Sequence, residues 1–126
     1  ARKDAEDYKA KFEIKTPDVD KLVSQLSGGN QQKVLLSMWI SRNPQLLLID
    51  EPTRGIDVGT KETIHRLIRQ FAKAGMGVII VSSDMPELMG ASDRIVAMYE
   101  GEISGELALN EITEQRIMAL TSGMKI

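Results

Sequence analysis

The stretch Leu46-Leu47-Leu48-Ile49-Asp50-Glu51-Pro52-Thr53 constrains the fold more than any other part of this chain. An unbroken apolar run closed by two acids and a proline reads as a parallel strand buried on both faces, with its carboxylates delivered at its C-terminal end. That is the end at which open α/β sheets bind ligands. Gly77-Val78-Ile79-Ile80-Val81-Ser82-Ser83-Asp84 is a second run of the same character. Between the two, Lys61 to Ala74 carries Ile64, Leu67, Ile68 and Phe71 at helical spacing and stops at Gly75, a glycine suited to the position just past a helix end. Strand, helix and strand make a β-α-β unit, and the fold class is α/β.

Upstream, Leu26 precedes Ser27-Gly28-Gly29-Asn30. Two adjacent glycines expose consecutive backbone N–H groups, and a helix beginning at Asn30 would place them at its positive end, where a terminal phosphate binds well. Ser27 adds a hydroxyl at the same spot. Such triplets are more often plain flexible turns, so the motif draws its weight from its neighbours. Gln31 to Ser41 then repeats Val34, Leu35, Met38, Trp39 and Ile40 near helical spacing, the set expected to pack this helix on the sheet. Asn43-Pro44 breaks it. Gly55-Ile56-Asp57 follows the acidic strand end, and Asp57 is placed to cap a helix starting near Val58. The single histidine, His65, falls within that helix and reads as a surface residue.

Residues up to about Thr16 read as a solvated helix, with Pro17 opening a connector to the glycine turn. Pro86 suits the first turn of a short helix running towards Gly90. Ile95 to Tyr99, Glu100-Gly101 and Glu102 to Leu107 read as strand, tight turn and strand, and a last helix is expected over Glu111 to Thr121.

A chain of 126 residues holds one small domain. Its formal charge of −2, with signs interspersed through Arg2, Lys3, Asp4, Glu6, Asp7 and Lys9, offers no basic stripe for nucleic acid. The absence of cysteine removes disulfides and thiolate metal sites and fits a reducing cytosol. Every apolar run is far short of the roughly 18 residues of a membrane span, so any membrane link is expected through a partner. No Gly-x-x-x-x-Gly-Lys-Ser/Thr phosphate loop occurs. A fragment beginning inside a helical subdomain of a larger protein is the expectation.

Leu26-Ser27-Gly28-Gly29-Asn30-Gln31-Gln32-Lys33-Val34, Asp50-Glu51-Pro52-Thr53-Arg54-Gly55-Ile56-Asp57-Val58-Gly59 and Ser82-Ser83-Asp84-Met85-Pro86-Glu87-Leu88 together resemble ATP-binding-cassette (ABC) ATPases. More narrowly, they resemble the C-terminal cassette of bacterial importer ATPases of the ribose, galactose, arabinose and xylose type, in which two cassettes are fused. The likeness runs from about Leu22 to Gly123, and the interval from Leu26 to Asp50 is the one the family uses.

That resemblance implies roles. Ser27, Gly28, Gly29 and Asn30 would be the signature, acting on a nucleotide held by the partner cassette. Asp50 would hold Mg²⁺ and Glu51 would polarise the water that attacks the γ-phosphate of ATP. Asp57 would be the D-loop acid that crosses the dimer seam. Ser83 stands where the family normally has a switch histidine that contacts the γ-phosphate, and serine neither reaches as far nor carries positive charge. Losing one such contact costs on the order of a hundredfold in rate. The site on this cassette is therefore expected to be slow or regulatory. Residues 1–42 would end the helical subdomain and residues 43–126 would be the C-terminal part of a RecA-like P-loop core. The partners implied are a paired cassette, membrane permease subunits and, indirectly, a periplasmic sugar-binding protein, with the protein peripheral on the cytoplasmic face of the cell membrane. A soluble ABC protein of repair or translation would instead show long heptads or basic surfaces. A non-catalytic regulatory module gains from Ser83 and loses from the presence of both Asp50 and Glu51.

Overall fold

A computed structural model describes residues 1–125. The order of elements is α1 (Arg2–Lys11), a 3-10 turn (Val23–Gln25), α2 (Gly28–Ile40), β1 (Leu46–Asp50), α3 (Val58–Lys73), β2 (Gly77–Val81), α4 (Met85–Ala91), β3 (Arg94–Tyr99), β4 (Glu102–Ala108), a second 3-10 turn (Leu109–Glu111) and α5 (Glu114–Thr121). They divide into two compact units, Ala1–Val81 and a second beginning at Ser82.

In the first unit β1 and β2 pair in parallel, Leu46 opposite Gly77 through Asp50 opposite Val81, with α3 as the crossover. Asp57 caps α3, its Oδ1 accepting from Thr60 N–H at 3.0 Å, and the helix buries Ile64, Leu67, Ile68 and Phe71. Each such side chain contributes about 1.5–3 kcal/mol on burial. Gly75, with φ of 104°, turns the chain out of the helix in the left-handed region glycine enters without penalty. The expected β-α-β unit is thus present. The strand is parallel, but it is not buried on both faces: Leu47 and Ile49 are buried while Leu46 and Leu48 are exposed, as are Ile79 and Val81 on β2. With only two strands in the pair, alternate side chains point away from the core.

Two other expectations change here. The N-terminal helix ends at Lys11, short of Thr16, and the segment after it is solvated only at alternate residues, Glu13 and Lys15 being exposed. Phe12 is wholly buried, its ring 6.0 Å from Tyr8 and 5.5 Å from Phe71, and Ile14 is buried beside it. On α2 the buried positions are Gly29, Lys33, Leu36, Ser37 and Ile40. These lie three and four apart and so form one face. Of the apolar set expected there only Ile40 is buried and Val34 partly so, while Leu35, Met38 and Trp39 are exposed. Polar residues occupy the core face because each finds a partner: Ser37 Oγ donates to Val34 O at 2.6 Å, and Lys33 Nζ donates to Glu13 O at 3.0 Å.

The second unit is an antiparallel hairpin, β3 with β4, backed by α5 and α4. Ile95, Ala97 and Leu107 of the hairpin bury against Ile117 and Leu120 of α5, with Met85 and Leu88 of α4 packed on the same cluster. The turn at Glu100 (φ 49°) and Gly101 (φ 81°) puts both central residues in the left-handed region, as a two-residue hairpin turn requires. The final helix starts at Glu114 and not at Glu111, because the Thr113 Oγ1 accepts from Arg116 N–H and caps it there.

Candidate functional site

Ser27 is the N-cap of α2, and the helix begins at Gly28, two residues earlier than expected. Ser27 Oγ accepts from the Asn30 N–H at 3.3 Å and from Asn30 Nδ2 at 2.9 Å, which leaves the hydroxyl proton available to donate. Gly28 and Gly29 occupy the first two helical positions, whose N–H groups have no intrahelical acceptor. The Asn30 side chain also reaches the segment after α1, its Oδ1 accepting from Lys15 N–H at 2.8 Å. Nothing in the sequence pattern marks that contact.

The two glycines differ. A Cβ on Gly28 would meet only Ile56 Cδ1 at 4.0 Å, whereas a Cβ on Gly29 would lie 2.4 Å from Thr60 Cγ2 and 3.2 Å from its Cβ. Gly29 is buried and Gly28 is exposed. Gly29 is therefore required by its own fold, and Gly28 is not.

Asp50 ends β1 with an exposed carboxylate, followed at once by Glu51 in the left-handed region with φ of 47°. A glutamate there costs of order 1–3 kcal/mol and persists only where its surroundings fix it. One fixing contact is the Glu51 N–H donating to Val81 O at 2.7 Å, which extends the β1–β2 ladder by one bond. Pro52 and Thr53 behind it are buried. A Mg²⁺ ion bound mainly through substrate phosphates and water takes one or two carboxylates from the protein, so an exposed aspartate at a strand's C-terminal end fits it. Among the described residues no cluster of three His, Cys, Asp or Glu could hold a metal by itself.

Asp57 binds Thr60 twice, Oδ1 accepting from the backbone N–H and Oδ2 from the Thr60 hydroxyl at 2.9 Å. These donors favour the charged form and hold the Asp57 carboxyl below its ordinary range. The chain brings Gly28 and Gly29 of the glycine turn up to Ile56 and Thr60, so the turn and the Asp57 loop adjoin. In the second unit Ser83 is exposed, next to Asp84, which caps α4 by accepting from Glu87 N–H at 3.2 Å. His65 sits half-buried on α3.

The segment joining α1 to α2 is pinned from several sides. Glu13 pairs with Arg66 through its carboxylate and receives Lys33 Nζ on its carbonyl. Burial pulls the Lys33 ammonium below the usual lysine range, against the opposing pull of Glu13. Among the described residues no helix is long and apolar enough to cross a membrane.

Comparison with known proteins agrees with these features. The family described as ABC transporter matches residues 1–54. A protein of Pseudomonas savastanoi pv. phaseolicola named for ribose, galactose and methyl galactoside import is 51% identical over 96% of this chain. A xylose import ATP-binding protein of Geobacillus kaustophilus is 49% identical over 98% of it. The chain spans 23% and 24% of those two relatives, about a quarter of their length. Among solved structures, a dimeric ATP-binding cassette in a post-hydrolysis state with ADP and Pi superposes with a TM-score of 0.75 at 30% identity, over 85% of this chain and 46% of that one. Another ABC transporter cassette gives a TM-score of 0.80 at 20% identity over 94% of this chain and 48% of that one, a likeness of fold. The fold is that of part of a P-loop NTPase cassette, and the chain matches the ABC transporter family over residues 1–54 and is about half identical, over nearly its whole length, to ATP-binding proteins named for sugar import.

Proposed function

We propose that this chain is the part of a sugar-importer ATPase that supplies the signature (Ser27 to Asn30), the Walker B strand (β1, closed by Asp50 and Glu51) and the D-loop (Asp57) of a second cassette, with residues 1–42 belonging to the helical subdomain and residues 43–126 to the RecA-like core. The observation that carries this reading is the near-half identity, across almost the whole chain, to ATP-binding proteins named for ribose, galactose and xylose import. The chemistry of the residues supports it. Ser27 and Gly28 present a hydroxyl and helix-terminal N–H groups to the γ-phosphate of an ATP carried by the paired cassette. Asn30 steadies Ser27 by its amide, and Gly29 lets the turn lie close to its neighbours. Asp57 faces the same seam.

On this cassette's own nucleotide, Asp50 is the ligand for Mg²⁺ and Glu51 the acceptor that orients the attacking water. The metal, where bound, neutralises phosphate charge. Ser83 makes a weaker contact to the γ-phosphate than a histidine would, which favours a slow or regulatory role for this second site. Turnover drives sugar uptake through membrane permease subunits fed by a periplasmic binding protein, with the ATPase peripheral on the cytoplasmic face.

The test is ATP hydrolysis by the full-length protein assembled with its permease, with and without sugar-loaded binding protein. Stimulation by the loaded binding protein is the expected result, and a basal rate indifferent to it overturns the importer reading. The 126-residue chain alone, without a phosphate loop to cradle the α- and β-phosphates, should show no submicromolar ATP binding by calorimetry.

A further inference from the structure

Thr60 touches both halves of the candidate site. Its methyl group would lie only 2.4 Å from a Cβ on Gly29, and its hydroxyl donates to Asp57 Oδ2 at 2.9 Å. Its backbone N–H donates to the other carboxylate oxygen at 3.0 Å. One half-buried threonine therefore packs against the start of α2 on one side and binds both carboxylate oxygens of Asp57 on the other. The contact is close enough that Gly29 has no room for a side chain, so the first turn of α2 cannot shift towards α3 without moving Thr60. Thr60 in turn cannot move without releasing Asp57.

Resting on the nucleotide-sharing role proposed for Ser27, Gly28 and Asp57, we propose that Thr60 is a positioning residue that locks the signature turn to the D-loop acid, so that both meet the partner cassette's ATP as one rigid surface. The threonine methyl supplies the packing and its hydroxyl supplies the tie. Valine keeps the shape and the backbone cap but loses the hydroxyl, and serine keeps the hydroxyl but loses the methyl.

The experiment is steady-state ATPase of the full-length transporter, reading kcat and KM separately, for wild type, G28D, T60V, T60S, G29A and G29A/T60S. G29A forces a displacement of about 1 Å and should lower kcat by about a hundredfold. Removing the Thr60 methyl in G29A/T60S vacates the clashing position and should recover most of that loss. T60V should lower kcat by about three- to tenfold with KM for ATP little moved, and should fall below T60S, because what is lost acts on the transition state and not on binding. A merely structural threonine gives the opposite order, since valine is the closer isostere. If G29A is not rescued by T60S, or if T60V equals or exceeds T60S, the positioning role is wrong. A wild type without ATPase activity, or a G28D variant with normal turnover, overturns the nucleotide-sharing role and the proposal with it. Normal wild type and dead G28D with no rescue and no T60V effect overturn the proposal alone.

Discussion

Gly28→Asp separates a glycine needed by a ligand from one needed by the fold. Gly28 is exposed at the first position of α2, and the nearest atom to an added Cβ is Ile56 Cδ1 at 4.0 Å, an ordinary contact. An aspartate there meets no steric resistance. As an acid in the first turn of a helix it should stabilise the folded chain by about 0.3–1 kcal/mol. In the assembled transporter the same carboxylate faces the γ-phosphate of the partner's ATP. Two like charges about 4 Å apart at an effective dielectric of about 20 repel by about 4 kcal/mol, which is about a thousandfold in turnover. Steady-state ATPase of the reconstituted full-length protein reads the second effect, and thermal melting reads the first. The expected pair of results is an unchanged or slightly raised melting temperature with turnover nearly abolished. Glu51→Gln, which removes a carboxylate from a site already short of its histidine, should cost less than about tenfold of total turnover. Early melting of G28D, or G28D retaining more than about a tenth of the rate, refutes the assignment of Gly28. Equal damage by E51Q and G28D refutes the asymmetry between the two sites.

Two further outcomes follow from the packing and the charges. Phe12→Ala removes a wholly buried ring set between Tyr8 and Phe71 and should destabilise the first unit by about 3–5 kcal/mol, read as a lower urea midpoint; a change under about 1 kcal/mol would place the ring at the surface after all. Because its hydrogen bonds from Thr60 lower the Asp57 pKa below 3.8, the unfolded chain takes up that proton before the folded one does. The cap's contribution is thus present above about pH 3.8 and lost as pH falls through the lower, folded value; Asp57→Asn, which caps without titrating, should flatten that part of the stability profile, and an unaltered profile counts against the Asp57–Thr60 tie.

The parts of this fold that were legible in the sequence are those in which one residue class repeats at one period. β1, α3 with its cap at Asp57, β2 and the hairpin around Glu100-Gly101 all have that property. α2 does not, because Lys33 and Ser37 hold core positions through hydrogen bonds to carbonyls, while Leu35, Met38 and Trp39 lie outside. Phe12 and Ile14 were masked by the charges around them; their burial depends on Phe71 and α2, far along the chain. In the candidate site, the order of Ser27, Gly28, Asp50, Glu51 and Asp57 along the chain was readable as a motif. The different demands on Gly28 and Gly29, and the part played by Thr60, were not, since they arise from a contact between residues 31 positions apart. The Asp84 cap of α4 was within reach, because an aspartate two residues before a proline is an ordinary helix start.

Lys33 is almost wholly shielded, at 5% exposure, with its amine spent on the Glu13 carbonyl. A lowered pKa leaves more of an amine unprotonated and so able to react at a given pH, yet this one cannot be reached by an acylating reagent while the segment after α1 stays in place. Its rate of chemical labelling therefore reports how often Phe12 to Lys15 lifts away from α2, a local opening invisible to probes of global unfolding. Exposed lysines such as Lys3 and Lys73 would react at once and serve as the internal clock against which that opening is timed.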